Sequence, residues 1–189
     1  MLSDAERRKV SVAHGLWERD KIDDAWNIVQ PMLAEHPYER DLCALAGHIY
    51  EKAGNTPVSY HMFKLATEAD PREGSGWLNF GRAAEDLWRT DEARRAYEKA
   101  LKLATRDDTR RCTLGNLAAL CIDNALYPEA EKWAKRALEE FPEFIGARAN
   151  LGFAQLGQRN WTEGWSNYRA NIGTLARPKI TYPNPTMWD

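Results

Sequence analysis

Apolar residues along this chain recur three and four positions apart in blocks separated by short polar breaks, which is the spacing of one helix face. The blocks come in pairs, and the pairs repeat. Aligning the chain on Pro37 and Pro71 places Ala25 over Ser59, Val29 over Phe63 and Met32 over Ala66, a period of 34 residues. The next step brings Ala93, Tyr97 and Ala100 into the same columns. After three extra residues, Asp108 to Arg110, the period resumes with Ala130, Ala134, Ala137 and Pro142, then Gly164 and Tyr168. A fixed period of this size signals stacked supersecondary units. The reading is an all-α array over residues 1–178 of five helical hairpins, 6–39, 40–73, 74–107, 111–144 and 145–178. Residues 179–189 read as an extended tail, or as a linker to a following domain.

Local chemistry supports the hairpins. Ser3 and Glu6 are spaced as a capping box. Thr56-Pro57 and Tyr127-Pro128 put proline where a first helical turn tolerates it, Thr90 and Asn160 read as N-caps, and Gly54 suits a helix C-terminus. Pro31 falls inside a predicted helix and cannot donate to the carbonyl of Asn27, so a kink is expected there. Ala13, Gly47, Gly81, Ala118 and Gly152 form a small-residue column in the first helices, and Ala25, Ser59, Ala93, Ala130 and Gly164 form one in the second. Small side chains in both columns let two helix backbones approach closely.

These columns resemble the tetratricopeptide repeat, whose first helix carries Trp, Leu-Gly and Tyr and whose second carries Ala, an aromatic, Ala and a closing Pro. Gly47, Tyr50, Gly54, Phe63, Ala66 and Pro71 make the second unit the fullest copy, and Trp77, Phe80 and Gly81 match in the third. Lys9 and Arg148 stand where the family has Trp, and Thr105 replaces the closing Pro. The resemblance implies a right-handed superhelix, an α-solenoid, that binds protein.

Composition narrows the function. Of 189 residues, 43% are hydrophobic and 29% charged, so a chain this long buries roughly 70% of its extended surface without staples. Acids and bases are interspersed at a net charge of -2, which leaves no electrostatic footprint for nucleic acid. Charges interrupt every hydrophobic run before membrane-spanning length, and no signal peptide opens the sequence. Three widely spaced cysteines make no disulfide framework, so reduced thiols in the cytoplasm are expected.

No catalytic constellation is found: there are four His, no His-Glu-x-x-His, no Gly-rich phosphate loop and no Gly-x-Ser-x-Gly. Paired carboxylates such as Glu139-Glu140 read as a solvated face. Cys43 and Cys121 occupy packing columns, while Cys112 and Cys121 fall on different helix faces and cannot share a metal. The expectation is therefore no catalytic residue, no metal and no cofactor.

Solenoids of this family work through the concave face lined by their first helices. One column there runs Asn79, Asn116, Asn150, preceded by Ser11 and Leu45. It resembles the asparagine ladder in the repeat superhelix of O-linked N-acetylglucosamine transferases, where side-chain amides grip the backbone of an extended peptide; local packing or capping is the other reading. A second column runs His14, His48, Arg82, Ala119, Phe153, and a third runs Trp17, Glu51, Glu85, Ile122, Leu156, with Asp86 and Asp123 beside it. The N-terminal half of this groove is net acidic and the C-terminal half apolar. That suits a segment basic at one end and aliphatic at the other; solvated faces are the simpler account of the charges. Val10, Leu45 and Cys112 occupy slots where the carboxylate-clamping members of the family need Asn or Lys, which argues against chaperone-tail recognition.

The last unit carries Trp161, Glu163-Gly164-Trp165 and Tyr168, and the chain ends on Met187-Trp188-Asp189. This resembles bacterial and phage proteins in which a Glu-Gly-Trp-x-x-Tyr helix, a short linker and Trp-Asp-Gly connect a tetratricopeptide array to a glycosyltransferase domain. Arg169 stands where many of those proteins carry Glu. Trp161, Trp165, Tyr168, Tyr182 and Trp188 are expected to cap the array's end or to contact a further domain. A solenoid must hide the apolar face of its last helix, and Pro178, Pro183 and Pro185 forbid a capping helix. The face is then covered by the tail, by a following domain, or by a second copy in end-to-end self-association, or the end frays in solvent. The resemblance implies a non-catalytic scaffold for a protein or peptide partner, as the repeat module of a glycosyltransferase-type protein; the alternative is a free-standing adaptor with no enzyme attached.

Overall fold

The computed structural model describes residues 2–169, so the expectations for Tyr182, Trp188 and the tail lie outside the described residues. Among the described residues there are ten helices and no strand. They divide into two compact units, one ending at Thr113 and the other beginning at Leu114. The first holds α1 (Asp4–Glu18), α2 (Ile22–Glu35), α3 (Arg40–Lys52), α4 (Thr56–Ala69), α5 (Gly74–Asp86) and α6 (Thr90–Leu103), together with the first turns of α7 (Asp107–Asp123). The second holds the rest of α7, α8 (Tyr127–Glu140), α9 (Ile145–Gly157) and α10 (Trp161–Arg169).

Within the first unit, α1 packs on α2, α3 on α4 and α5 on α6 as antiparallel hairpins, and α2 against α3 and α4 against α5 join one hairpin to the next. The small-residue columns make this stacking close. A Cβ on Gly47 would lie 2.6 Å from the Phe63 ring, and one on Gly81 would lie 2.6 Å from the Tyr97 ring. Each glycine thus makes the slot that its hairpin's aromatic fills, and Phe63 and Tyr97 are fully buried. Burying each such ring contributes roughly 3 kcal/mol. The hydroxyl of Ser59, at the facing small position, donates to the carbonyl of Gly47 at 2.9 Å, so its burial leaves no donor unpaired.

All five hairpin turns close in the same way. Asp20, Gly54, Trp88, Ala125 and Arg159 have φ of 62°, 73°, 59°, 56° and 66°. In each turn the following amide bonds back to the carbonyl five residues earlier, as Asn55 does to Tyr50 and Arg89 to Ala84. This left-handed closure satisfies the carbonyls that a helix end leaves free. Only Gly54 among the five is a glycine, so only that turn's left-handed geometry was legible in the sequence.

Several local expectations are met and others corrected. Glu6 accepts from the Ser3 amide and hydroxyl while Ser3 Oγ accepts from the Glu6 amide, completing the capping box. Pro57 and Pro128 sit in the first turns of α4 and α8, and Asn160 precedes α10, its carbonyl accepting from Gly164. Thr90 is not an N-cap: the helix starts at Thr90, the cap position is Arg89, and no side chain caps it. Helix α2 continues without a break through Pro31. The three extra residues before the fourth unit form no loop. They extend α7 to 17 residues, beginning at Asp107 instead of Arg111, because without a closing proline nothing delays the helix start.

Candidate functional site

In the first unit the expected groove residues come together on the first helices α1, α3 and α5. Stacking brings side chains 31 to 35 positions apart into contact. Trp17 lies between His14 and His48, with ring centroids 5.4 and 4.9 Å away, and the edge of His48 meets Phe63 at 4.9 Å. Lys52 covers the Trp17 ring at 5.1 Å, held there by the Trp17 carbonyl at 3.1 Å and the Asp20 carboxylate at 2.8 Å. Asn79 places its amide nitrogen 3.2 Å from His48 Nε2, and Arg82 donates to Glu51 at 2.8 Å. Tyr97 donates to Glu85, and His14 lies 3.5 Å from Glu18.

The charges on this face are tuned by these contacts. Burial alone would raise the Glu51 carboxyl, but His48 and Arg82 outweigh it and hold the group below its ordinary value. Partial burial raises Asp86, with the Glu51 charge adding to it and Arg82 opposing it. Burial, reinforced by the Glu85 carboxylate, drives the Tyr97 hydroxyl far upward, so it stays a donor. Three polar atoms on this face are buried without a hydrogen-bond partner: Trp17 Nε1, His48 Nδ1 and Arg82 Nε. His48 Nδ1 has the Glu51 carboxylate at 3.5 Å, beyond a good hydrogen bond. An unmet buried donor costs about 1–3 kcal/mol, so the face carries a surplus of donors and a gain for any rearrangement that gives them acceptors.

In the second unit, Asn150 donates its amide to the Gly115 carbonyl at 3.0 Å. Asn116 is half-buried, Asp123 is exposed, and Phe153, 42% exposed, meets the edge of Tyr168 at 4.8 Å. Asn79 and Asn150 therefore each reach the preceding repeat. On α10, Gly164 is buried, and a Cβ there would lie 2.9 Å from Leu156, so the Glu-Gly-Trp-x-x-Tyr helix needs its glycine to reach α9. Tyr168 packs on Trp165 at 5.6 Å, but Trp165 and Trp161 remain 48% and 56% exposed.

Two other groupings left no signal in the sequence. The ligand atoms of Glu6, Glu35 and His36 lie within 4.8 Å of one another, joined when the α1–α2 hairpin closes. Glu6 is already engaged there by Ser3 and by His36 at 3.0 Å, which lowers its carboxyl to about 2. Tyr60 accepts from Arg89 and donates to Glu92, both at 2.9 Å, an arrangement only hairpin stacking could make. Cys43 and Cys121 are buried as expected, whereas Cys112 is exposed and takes no packing role.

The tetratricopeptide repeat family model matches residues 75–107. No curated protein matches the chain. Among solved structures, PilW, described as a widely conserved type IV pilus biogenesis factor, is 18% identical with a TM-score of 0.79, over 89% of this chain and 78% of PilW. MamA from Desulfovibrio magneticus RS-1 is 12% identical with a TM-score of 0.76, over 89% of this chain and 93% of its own. YrrB, described as a TPR protein with an unusual peptide-binding site, is 16% identical with a TM-score of 0.70, over 86% and 83%. At these identities the likeness is one of fold, and the described helices have the fold of tetratricopeptide-repeat proteins.

Proposed function

We propose that this chain is a non-catalytic scaffold that holds an extended polypeptide segment along the first-helix face of its repeats. The observation that carries the reading is the donor surplus at Trp17, His48 and Arg82, within the columns that the repeat pattern marks as a binding face. A polypeptide backbone offers carbonyl acceptors at regular spacing, and the ring row His14, Trp17, His48 offers apolar faces beside them. YrrB, similar in fold, is described by its peptide-binding site, which supports the same use of the fold here. The groove set of the first unit comprises these residues with Glu51, Asn79, Arg82, Glu85 and Asp86, and Asn116, Asp123, Asn150 and Phe153 form the corresponding set of the second unit.

The test is selection of peptides from a random display library on the intact chain, followed by affinity measurement on Trp17→Phe and Arg82→Gln. Trp17→Phe removes the indole donor while keeping an aromatic ring, and Arg82→Gln removes the guanidinium while keeping a polar side chain. A loss of about tenfold or more, with melting unchanged within about 2 °C, supports the reading; equal affinity for wild type and both variants overturns it.

We further infer that the scaffold serves as the repeat module of a glycosyltransferase-type protein. The Glu163-Gly164-Trp165…Tyr168 helix and the two exposed tryptophans beside it support this reading. The intact mass of the native gene product tests it: a chain continuing past Asp189 into a further domain supports it, and an end at Asp189 overturns it. The second reading, a free-standing adaptor with no enzyme attached, is favoured by exposed apolar side chains on both the first and the last described hairpin, Val12 at 57% and Trp165 at 48%, which a second copy would cover. We place the protein in the cytoplasm on its free thiols. No helix among the described residues is long and apolar enough to cross a membrane.

A further inference from the structure

Tyr60 shows how one hairpin grips the next. From α4 it is buried against the following hairpin: its ring lies 5.2 Å from that of Phe80, the Arg89 guanidinium sits over it at 4.5 Å, and its hydroxyl donates to Glu92. The 34-residue register carries each member of this contact to an end of the array. The place of Tyr60 is taken by Trp165 in the last hairpin, and those of Phe80, Arg89 and Glu92 by Val12, Lys21 and Asp24 in the first. A small apolar receiver, a cation and a carboxylate thus recur in the same order on the first hairpin. The exposures agree. Ala46, Phe80 and Leu151 occupy the receiving position of later hairpins and are 0%, 5% and 7% exposed, whereas Val12 is 57% exposed.

The clefts repeat the pattern. Between α4 and the α5–α6 hairpin runs a cleft of about 340 Å³ with Phe80, Arg95 and Lys99 on one wall and Lys64 on the other. The cleft of about 480 Å³ on the first hairpin is lined by Val12, Asn27 and Pro31, the register equivalents of that first wall. The cleft of about 420 Å³ on α10 is lined by Arg169, the equivalent of Lys64, beside Trp161 and Trp165. Each end therefore presents one half of a cleft that is complete inside the array.

We propose that the two ends are complementary, so that α10 of one copy docks on the α1–α2 hairpin of a second copy as α4 docks on the α5–α6 hairpin. Trp165 packs on the second copy's Val12, Lys21 lies over its indole ring, and the indole N–H donates to Asp24. The contact joins unlike surfaces, a bound pair keeps one free end of each kind, and the assembly is an open series instead of a closed dimer. This inference stands apart from what the groove binds.

Sedimentation of the 189-residue chain tests it, since the weight-average mass should rise at least about twofold above 21.6 kDa with concentration. Val12→Glu and Trp165→Glu should each remain at the single-chain mass with unchanged circular dichroism, because both side chains are exposed. Their equimolar mixture should give a 1:1 dimer and nothing larger, since it restores a single junction. Asp24→Arg should weaken the series as Val12→Glu does, which keeps the test open if a substitution at Trp165 perturbs folding. A wild-type mass that stays at one chain overturns the proposal. So does a Val12→Glu variant that associates as the wild type does, which would mark an interface between like surfaces.

Discussion

Asn150 donates its side-chain amide to the backbone carbonyl of Gly115, 35 positions earlier and 3.0 Å away. An amide so placed ties the first helix of one repeat to the first helix of the repeat before it. One of its two N–H bonds is therefore engaged before any partner arrives, and its remaining hydrogen and its oxygen are what a peptide could use. Asn79, engaged with His48, stands in the same position in the first unit.

Asn150→Ala is expected to destabilise the protein by about 1 kcal/mol, because the Gly115 carbonyl loses its side-chain donor. Asn79→Ala should cost a similar amount through His48. Urea denaturation of the two variants checks this; midpoints equal to wild type for both would show that these amides are held by solvent and not by the neighbouring repeat.

The five left-handed turns invite a comparison at positions of the same geometry. Trp88 adopts φ of 59° although it is a bulky residue, and at 89% exposure it has little packing to lose. Trp88→Gly should stabilise the fold by about 0.5 kcal/mol, the strain removed being partly offset by the extra chain entropy of glycine. Gly54→Ala should destabilise by roughly 1 kcal/mol at φ of 73°. Opposite shifts in thermal midpoint are the expected readout.

Glycines in the packing column behave differently. Gly81→Ala puts a methyl 2.6 Å from the Tyr97 ring, and the buried tyrosine has no free direction in which to move. A loss of about 1–3 kcal/mol is expected. Gly15→Ala in α1 meets nothing within 4 Å and should stabilise by up to about 1 kcal/mol through helix propensity alone. Chemical denaturation of the pair would separate a steric glycine from an incidental one.

Acid sensitivity should come in part from lowered carboxylates. Glu6, drawn down to about 2 by Ser3 first and His36 after, has a folded value below its unfolded one near 4.5. Glu51 shifts in the same direction. The Glu6 contribution is present above about pH 4.5 and is lost as pH falls toward 2, and that of Glu51 is lost on acidification in the same sense. Asp86 opposes them, because a raised carboxyl favours the folded state on acidification. Glu6→Gln should flatten the pH dependence of the denaturation midpoint between pH 5 and 2, approximately the window of the shift. An unaltered slope would show that the cap does not titrate as the contacts imply.

Thiol chemistry separates the cysteines. Burial raises Cys43 to about 11, and its Sγ donates to the Pro37 carbonyl, whereas Cys112 is exposed. Cys112 should label with a disulfide reagent at neutral pH at least about a hundredfold faster than Cys43, and Cys112→Ser should abolish the fast phase.

How much of this could be read beforehand differs from residue to residue. The capping box of Ser3 and Glu6 and the prolines at 57 and 128 were legible because the atoms involved lie within one helical turn. The aromatic slots of Gly47 with Phe63 and Gly81 with Tyr97 were legible as columns, though not as contacts. Four of the five left-handed turns carry no glycine and left no mark, because the geometry is imposed by the two helices that each turn must join. Thr90 was misread for the same reason: a good capping residue stands one position inside a start that the hairpin had already fixed.

The sequence by itself determined that this protein is built of helical hairpins on a 34-residue register, since spacing within a helix and between repeats is a property of the chain. It also marked which columns form the first-helix face. Only the tertiary structure decided what those columns do. Whether Arg82 is free or paired with Glu51, whether an asparagine faces a partner or the preceding repeat, and which donors go unmet depend on side chains brought together from about thirty positions away. Those distances are set by how hairpins stack, and stacking is the sum of many small packing contacts that no local pattern encodes.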